Sequence, residues 1–237
     1  MIADLHLHSN LSDGLMGLAE IADLSGRYFT PAGIADHISP YHKIKDEKSF
    51  DAYLKALSRF DFLKGGELCL GAPLSISRES LNRLDYIIGS VHALRIDSTL
   101  NLFFFDSRVR FPDIGFFTRL YTDHLVRFLN ETPMHILGHP LLLPVFLQKQ
   151  RADDLFTDEQ IEQIVSAGVR NQVAFEISGR WQVPGEKFLR EVKRQQASIA
   201  IGSDAHSPES AFNFDYPLMM MERVGLDQSA LFTPQRK

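Results

Sequence analysis

An apolar run near the start of the chain closes on Asp4-Leu5-His6-Leu7-His8, and one near its end closes on Gly202-Ser203-Asp204-Ala205-His206. In an extended strand, side chains two positions apart point to the same side. His6 with His8, and Asp204 with His206, therefore each present two donor heads to one place. One such pair constrains little. Two of them, about 200 residues apart, suggest a fold whose first and last strands meet around a metal ion. Imidazole and carboxylate together suit zinc, manganese or iron.

Between the two pairs, short apolar runs alternate with helical patterns. Strands are predicted over 2–6, 32–37, 63–68, 86–92, 135–139, 173–177 and 198–203. Helices are predicted over 17–27, 50–60, 116–129 and 186–195. Ser77 caps a short helix ending before Asp85, and Thr157 caps another, with Gln160 completing a capping box. Repeated strand–helix units imply a parallel sheet. No internal repeat, low-complexity stretch or linker divides the chain, so 1–237 is read as one domain. An incomplete or distorted β/α barrel fits the strand count better than a regular eightfold one.

Composition narrows the function. The 237 residues, 44% of them hydrophobic, support one sizeable core. A net charge of −5 gives no general attraction to polyanions, so long nucleic acid is not the expected partner. The single cysteine, Cys69, excludes an internal disulfide, fits a reducing cytoplasm, and reads as a small buried residue rather than a nucleophile. The start lacks the pattern of a signal peptide, and no apolar run approaches the roughly 20 residues that span a bilayer. Nothing in the sequence fixes the oligomeric state.

What stands at the strand ends is more telling. The first ends in His6 and His8, with Asp13 in the following loop. The second ends in Asp36-His37, the third in Gly66-Glu67 and the fourth in Ser90-Val91-His92. The fifth ends in Gly138-His139-Pro140 and the last in Asp204-Ala205-His206. Side chains at the C-terminal ends of barrel strands converge on one mouth. Nine candidate ligands thus gather there: His6, His8, Asp13, His37, Glu67, His92, His139, Asp204 and His206. One zinc takes about four ligands, so nine suit two or three ions. Of the other histidines, His124 in a helix and His135 at a strand start read as structural. His42, in the loop after the second strand, is a candidate substrate contact.

These segments, from Asp4-Leu5-His6-Leu7-His8-Ser9-Asn10-Leu11-Ser12-Asp13-Gly14 through Ala35-Asp36-His37, Gly65-Gly66-Glu67, Gly89-Ser90-Val91-His92 and Gly138-His139-Pro140 to Gly202-Ser203-Asp204-Ala205-His206, resemble the polymerase and histidinol phosphatase (PHP) family of metal-dependent phosphoesterases. The resemblance spans nearly the whole chain. It implies a distorted seven-stranded β/α barrel of PHP type, related to TIM-like barrels, in which His6, His8, Glu67 and Asp204 hold one ion. Glu67 would bridge to a second ion joined by His92 and His139, and a third would take Asp13, His37 and His206.

The implied chemistry is hydrolysis of a phosphate ester by water activated between ions, with Asp13, Glu67 and His206 as the catalytic side chains. The leaving oxygen would take a proton from Asp13, His206 or a water. Arg180, beyond the strand ending in Ser178, is the candidate phosphate contact, because a guanidinium fork matches phosphate. Glu176 either orients a ligand or satisfies a backbone group. The long loop after His92 carries Leu102-Phe103-Phe104-Phe105, which reads either as packing or as a lid or subunit contact. The favoured substrate is a small phosphomonoester of histidinol-phosphate type. A nucleotide or oligonucleotide phosphoesterase and a non-catalytic metal-binding module are the alternatives. An amidohydrolase-like barrel would need a carboxylated lysine where Glu67 stands.

Overall fold

The computed structural model describes residues 2–96, 101–108, 110 and 113–237. Of the long loop read after His92, residues 97–100, 109, 111 and 112 lie outside the described residues.

The strands are β1 (Asp4–Leu7), β2 (Ala32–Ile34), β3 (His37–Ile38), β4 (Leu63–Lys64), β5 (Glu67–Cys69), β6 (Ile88–Ser90), β7 (Ala93–Arg95), β8 (Asn101–Phe103), β9 (Ile136–Leu137), β10 (Ala174–Ser178) and β11 (Ile199–Gly202). The helices are α1 (Leu18–Tyr28), α2 (Glu47–Leu57), α3 (Arg78–Leu81), α4 (Ile114–Glu131), α5 (Ala152–Leu155), α6 (Asp158–Arg170), α7 (Glu186–Arg194) and α8 (Asp215–Val224).

Parallel pairing runs β1–β2–β4 on one arc and β3–β5–β6–β9–β10–β11 on the other. β2 and β3 are two halves of one strand interrupted at Ala35-Asp36, and β4 and β5 are halves interrupted at Gly65-Gly66. The ring closes where Leu7 bridges Ala205 in parallel and the His8 N–H donates to the Ala205 carbonyl at 3.0 Å. Counted with the broken strands as one each, seven parallel strands form the barrel.

Both interruptions have physical causes. The Asp36 carboxylate turns to accept from the Ser9 N–H and from the hydroxyls of Ser9 and Ser12, which pins the loop that carries Asp13. At Gly65 a side chain would have no room, since a Cβ there would lie 2.3 Å from Cζ of Tyr86. Tyr86 is fully buried and donates its hydroxyl to the Leu5 carbonyl at 2.7 Å, tying β1 to the approach to β6.

The apolar interior has two parts. A small cluster of Leu5, Ala35, Leu63, Tyr86, Ile88, Ile136, Ala174 and Ala200 takes a residue from on or beside every barrel strand, which places it inside the ring. A larger layer lies between the strands and the surrounding helices and includes Ile21, Phe50, Leu125, Ile164 and Leu189. The helices start where local chemistry allows. Asp46 and Ser49 form a capping box for α2, Asp113 caps α4, and Thr157 with Gln160 forms the predicted box at α6. Two of these starts, three residues earlier than predicted for α2 and two for α4, follow from caps the apolar spacing does not show. The α5 and α8 helices and the β7–β8 hairpin were not anticipated. Among the described residues no helix is long and apolar enough to cross a membrane.

Candidate metal centre

The strand ends deliver their side chains to a single mouth. Six imidazole rings form an unbroken series. Ring centroids are 5.0 Å apart for His6 and His8, 4.6 Å for His8 and His37, and 4.2 Å for His8 and His206. They are 5.3 Å apart for His37 and His92 and 5.2 Å for His92 and His139. Glu67, which is 1% exposed, sits at the centre. Its Oε1 lies 3.5 Å from His6 Nε2, 3.6 Å from His92 Nε2 and 3.4 Å from His139 Nε2. Its Oε2 lies 3.6 Å from His8 Nε2. Asp204 Oδ1 approaches His8 Nε2 at 3.3 Å and His6 Nε2 at 4.0 Å. Towards the solvent, Asp13 faces His8 Nδ1 at 3.6 Å, His37 Nε2 at 3.5 Å and His206 Nε2 at 3.3 Å.

Four groups emerge: His6, His8 and Glu67; Glu67, His92 and His139; His8, Asp13, His37 and His206; and His37, Cys69 and His92, the last including a thiol that the sequence reading did not count as a ligand. Asp204 adjoins the first. The implied third set of Asp13, His37 and His206 is brought together with His8 added, so His8 presents a nitrogen to each of two groups.

The donor set fits divalent ions on two independent grounds. Two ligand atoms held about 2.0–2.1 Å from zinc at a tetrahedral angle lie about 3.4 Å apart, and most of these spacings fall between 3.3 and 3.6 Å. Moreover, His6 Nε2, both ring nitrogens of His8, His37 Nδ1 and Glu67 Oε2 are buried without hydrogen-bond partners. The nearest pair among them, His37 Nδ1 and Glu67 Oε2, lies 2.6 Å apart. Orphaned donors and acceptors on this scale are costly unless something else satisfies them.

The electrostatics of the cluster are mixed. Burial pushes His8 down to about 4 and His92 down to about 3, which keeps both neutral with a lone pair available. Burial also opposes charge on His6, but Glu176, Glu67 and Asp204 outweigh it and hold the ring well above its ordinary value. Burial likewise opposes charge on Glu67, yet His37, His6 and His92 hold its carboxyl well below the usual range. Asp13 and Asp204 are lowered in the same manner by the histidines around them, against burial.

Positioning falls to other residues. Glu176 on β10 accepts from His6 Nδ1 and from the His139 N–H, each at 2.6 Å, so it both orients a ligand and satisfies a backbone group. It fits because Gly202 leaves space: a Cβ there would lie 2.1 Å from Glu176 Oε1. Asp4 accepts from the N–H groups of His6, Ser203 and Phe212, tying the first ligand strand to the last. Burial raises its carboxyl to about 6 despite those bonds. His139 and Asp204 adopt positive φ (26° and 51°), a local strain of the kind held at functional sites. Trp181, the sole tryptophan, donates its indole N–H to Asp204 Oδ2.

Other sequence candidates land as follows. Arg180 follows β10 and Gly179, and its guanidinium lies against His206 Nδ1, 3.3 Å from the Asp204 carbonyl and 4.9 Å from the Trp181 ring centre. His42 stacks on His37 with centroids 4.3 Å apart and bonds Ser39 Oγ at 3.1 Å, which puts it at the rim. His124 and His135 are held by the Leu120 carbonyl and the Ile87 N–H, away from the cluster. The expectation of a buried Cys69 needs correction. It is half-buried, with Sγ 3.4 Å from His92 Nδ1, because it ends β5 on the same face as Glu67. Its two-residue spacing from Glu67 was the available signal. Asp36 and Trp181 left no comparable signal, because their roles depend on contacts across 24 and 23 residues.

No protein-family model matches the chain, and no curated protein does. Its fold is shared by solved structures of α/β barrel type. One is histidinol phosphate phosphatase (HisK) from Lactococcus lactis subsp. lactis Il1403, complexed with zinc, L-histidinol and phosphate. It aligns with a TM-score of 0.70 and 15% identity over 95% of this chain and 94% of that one. Another is a candidate histidinol phosphatase, hisK, from Listeria monocytogenes, with a TM-score of 0.66 and 14% identity over 91% and 99% of the two chains. These likenesses establish the barrel fold expected from the sequence.

Proposed function

We propose that this chain is a PHP-type phosphoesterase that hydrolyses a small phosphomonoester with two or three divalent transition-metal ions. Zinc, manganese and iron all match the nitrogen and oxygen donors. The placement of Glu67 carries the reading: one buried carboxylate faces His6, His92 and His139 with one oxygen and His8 and His37 with the other. A structural carboxylate does not need five imidazoles. The zinc and phosphate bound by the Lactococcus lactis protein of the same fold support it.

Bound ions at such a site supply an activated water and neutralise charge on the phosphoryl oxygens. The chain's own residues set the geometry. Glu67 holds two groups of ligands at a fixed separation. Asp13 and His206, with side chains 40% and 24% exposed, face the mouth from which an ester enters. Asp13 stays ionised beside His206, His37 and His8, so it serves as ligand and acceptor rather than as the proton donor to the leaving group.

Arg180 is the phosphate contact in this reading, and histidine tautomerism explains how it becomes available. With its proton on Nδ1, His206 donates to the Asp204 carbonyl at 3.1 Å and turns its Nε2 lone pair towards Asp13. Nδ1 then no longer accepts from Arg180, whose guanidinium keeps its bond to the Asp204 carbonyl at 3.3 Å and has donors left for an anion. Arg180→Ala is expected to raise KM for phosphomonoesters about tenfold while kcat and metal content change little. An unchanged KM removes Arg180 from the site.

Elemental analysis of protein purified without chelator tests the reading directly. At least two transition-metal ions per chain are expected, together with turnover of phosphomonoesters above that of diesters and nucleotides. Fewer than one ion per chain would rule out the multinuclear site. A full complement of metal without hydrolysis of any ester would leave the non-catalytic module instead.

A further inference from the structure

Beside the ligand cluster lies a cavity of about 550 Å³, within the usual size of small-molecule sites. Asp13, His37 and His92 form part of its wall, so the cavity is continuous with the proposed metal centre. Much of the remainder is apolar, including Leu70, Phe103, Phe105 and Phe128.

The β8 segment shows how this wall is made. Leu102 and Phe104 are buried at 2% and 0% exposure, whereas Phe103 and Phe105 are 48% and 49% exposed. Alternation thus sends every second residue into the core and the others into the cavity. Across the strand pair Phe103 faces Ala93, which follows His92 and also lines the cavity. Phe105 links the wall to the chemistry, with its ring 5.9 Å from that of His92 and 5.6 Å from that of Trp181. Two half-exposed phenylalanines beside a cluster of ligands signal a surface that a bound molecule covers.

The charges narrow the molecule further. The lining carboxylates among the described residues are Asp13 and Asp106. Asp13 is engaged by three histidines, and Asp106 is gripped by Arg108 through Nε at 2.9 Å and Nη2 at 2.8 Å. Both carboxylates already face basic partners, while Arg95 and Arg127 also line the cavity, so its charge lining is not one that selects an ammonium group. Resting on the phosphoesterase reading above, we propose that the organic part of the substrate is an uncharged aromatic group seated between Phe103, Phe105 and Leu70, rather than a cationic amino alcohol.

The test compares 2-naphthylmethyl, benzyl and ethyl phosphate, together with L-histidinol phosphate, on the metal-loaded protein. All four leave as alkoxides, so intrinsic leaving-group reactivity is nearly matched. The expected order is naphthylmethyl above benzyl above ethyl, with kcat/KM spanning about thirtyfold or more, carried mainly by KM, and histidinol phosphate no better than ethyl. Phe103→Ala should shrink the naphthylmethyl-to-ethyl ratio about tenfold, and Phe103→Tyr should restore it. Equal kcat/KM for ethyl and naphthylmethyl phosphate, or a preference for histidinol phosphate, would overturn the proposal while leaving the phosphoesterase reading intact. If no ester turns over, the phosphoesterase reading falls and calorimetry with the matching phosphonates decides the cavity. Tighter binding of 2-naphthylmethylphosphonate than of ethylphosphonate, lost in Phe103→Ala, supports it, and equal or absent binding overturns it.

Discussion

Glu67→Gln is expected to lower kcat for phosphomonoesters by about a thousandfold or more and to reduce bound metal by at least one ion per chain. The substitution keeps shape and volume but removes the negative charge and half of the acceptor capacity. Both oxygens of Glu67 face ring nitrogens. The amide therefore turns a nitrogen donor towards atoms that must themselves offer lone pairs, and one shared ligand position is lost. The fold should persist, because none of the strand pairings passes through this side chain. Circular dichroism at neutral pH checks that point, and elemental analysis with steady-state kinetics checks the rest. Metal-free protein adds a sign test. The Glu67 carboxyl is held well below its ordinary value by His37, His6 and His92, against burial. It therefore contributes stability above its unfolded pKa of about 4.3, and that contribution disappears as pH falls through the lower folded value. The gap in Tm between the parent and Glu67→Gln should be widest near neutral pH and close in acid. Unimpaired turnover by the variant would end the bridging role.

The candidate ligand heads could be read because all but Asp13, which sits in a loop, stand at the ends of apolar runs, where strand geometry fixes which way they point. His6, His8 and Glu67 needed no knowledge of their neighbours to be placed at the mouth. Neither did Asp204 and His206, although the bridge from Leu7 to Ala205 shows that the two chain ends do meet. Residues acting at a distance were less legible. Asp36 lies in a recognised motif, but its work is to hold Ser9 and Ser12, which periodicity does not reveal. The run Leu102 to Phe105 could be read either as packing or as a lid or subunit contact. The breaks at Ala35-Asp36 and Gly65-Gly66 depended on the Tyr86 ring and the Ser9 loop, which come from other parts of the chain. The α8 helix has no side-chain cap at its N-terminus, so Gly225, left-handed at its C-terminal end, was the one terminal signal the sequence offered.

Glu176→Gln should weaken metal binding about ten- to a hundredfold with little change in the fold. Glu176 is 1% exposed and makes two bonds that both require an acceptor, to His6 Nδ1 and to the His139 N–H. Glutamine supplies one acceptor and one donor. If its oxygen stays with the His139 N–H, its amide nitrogen faces His6 Nδ1, and the imidazole shifts its proton to Nε2. That is the nitrogen facing Glu67 and Asp204, so His6 loses the lone pair it needs as a ligand. If the oxygen turns to His6 instead, the His139 N–H is left unpaired in a buried backbone already at positive φ. Either arrangement damages one ligand while leaving the other eight in place, so the loss should fall on affinity before it falls on kcat. Titrating chelated protein with zinc separates the two: kcat of Glu176→Gln at saturating metal should recover to within about tenfold of the parent, at a metal concentration shifted upward by the lost affinity. The indole of Trp181 bonds Asp204, which gives a fluorescence readout of the same titration without substrate. An unshifted midpoint in both readouts would show that Glu176 serves only the packing of β10.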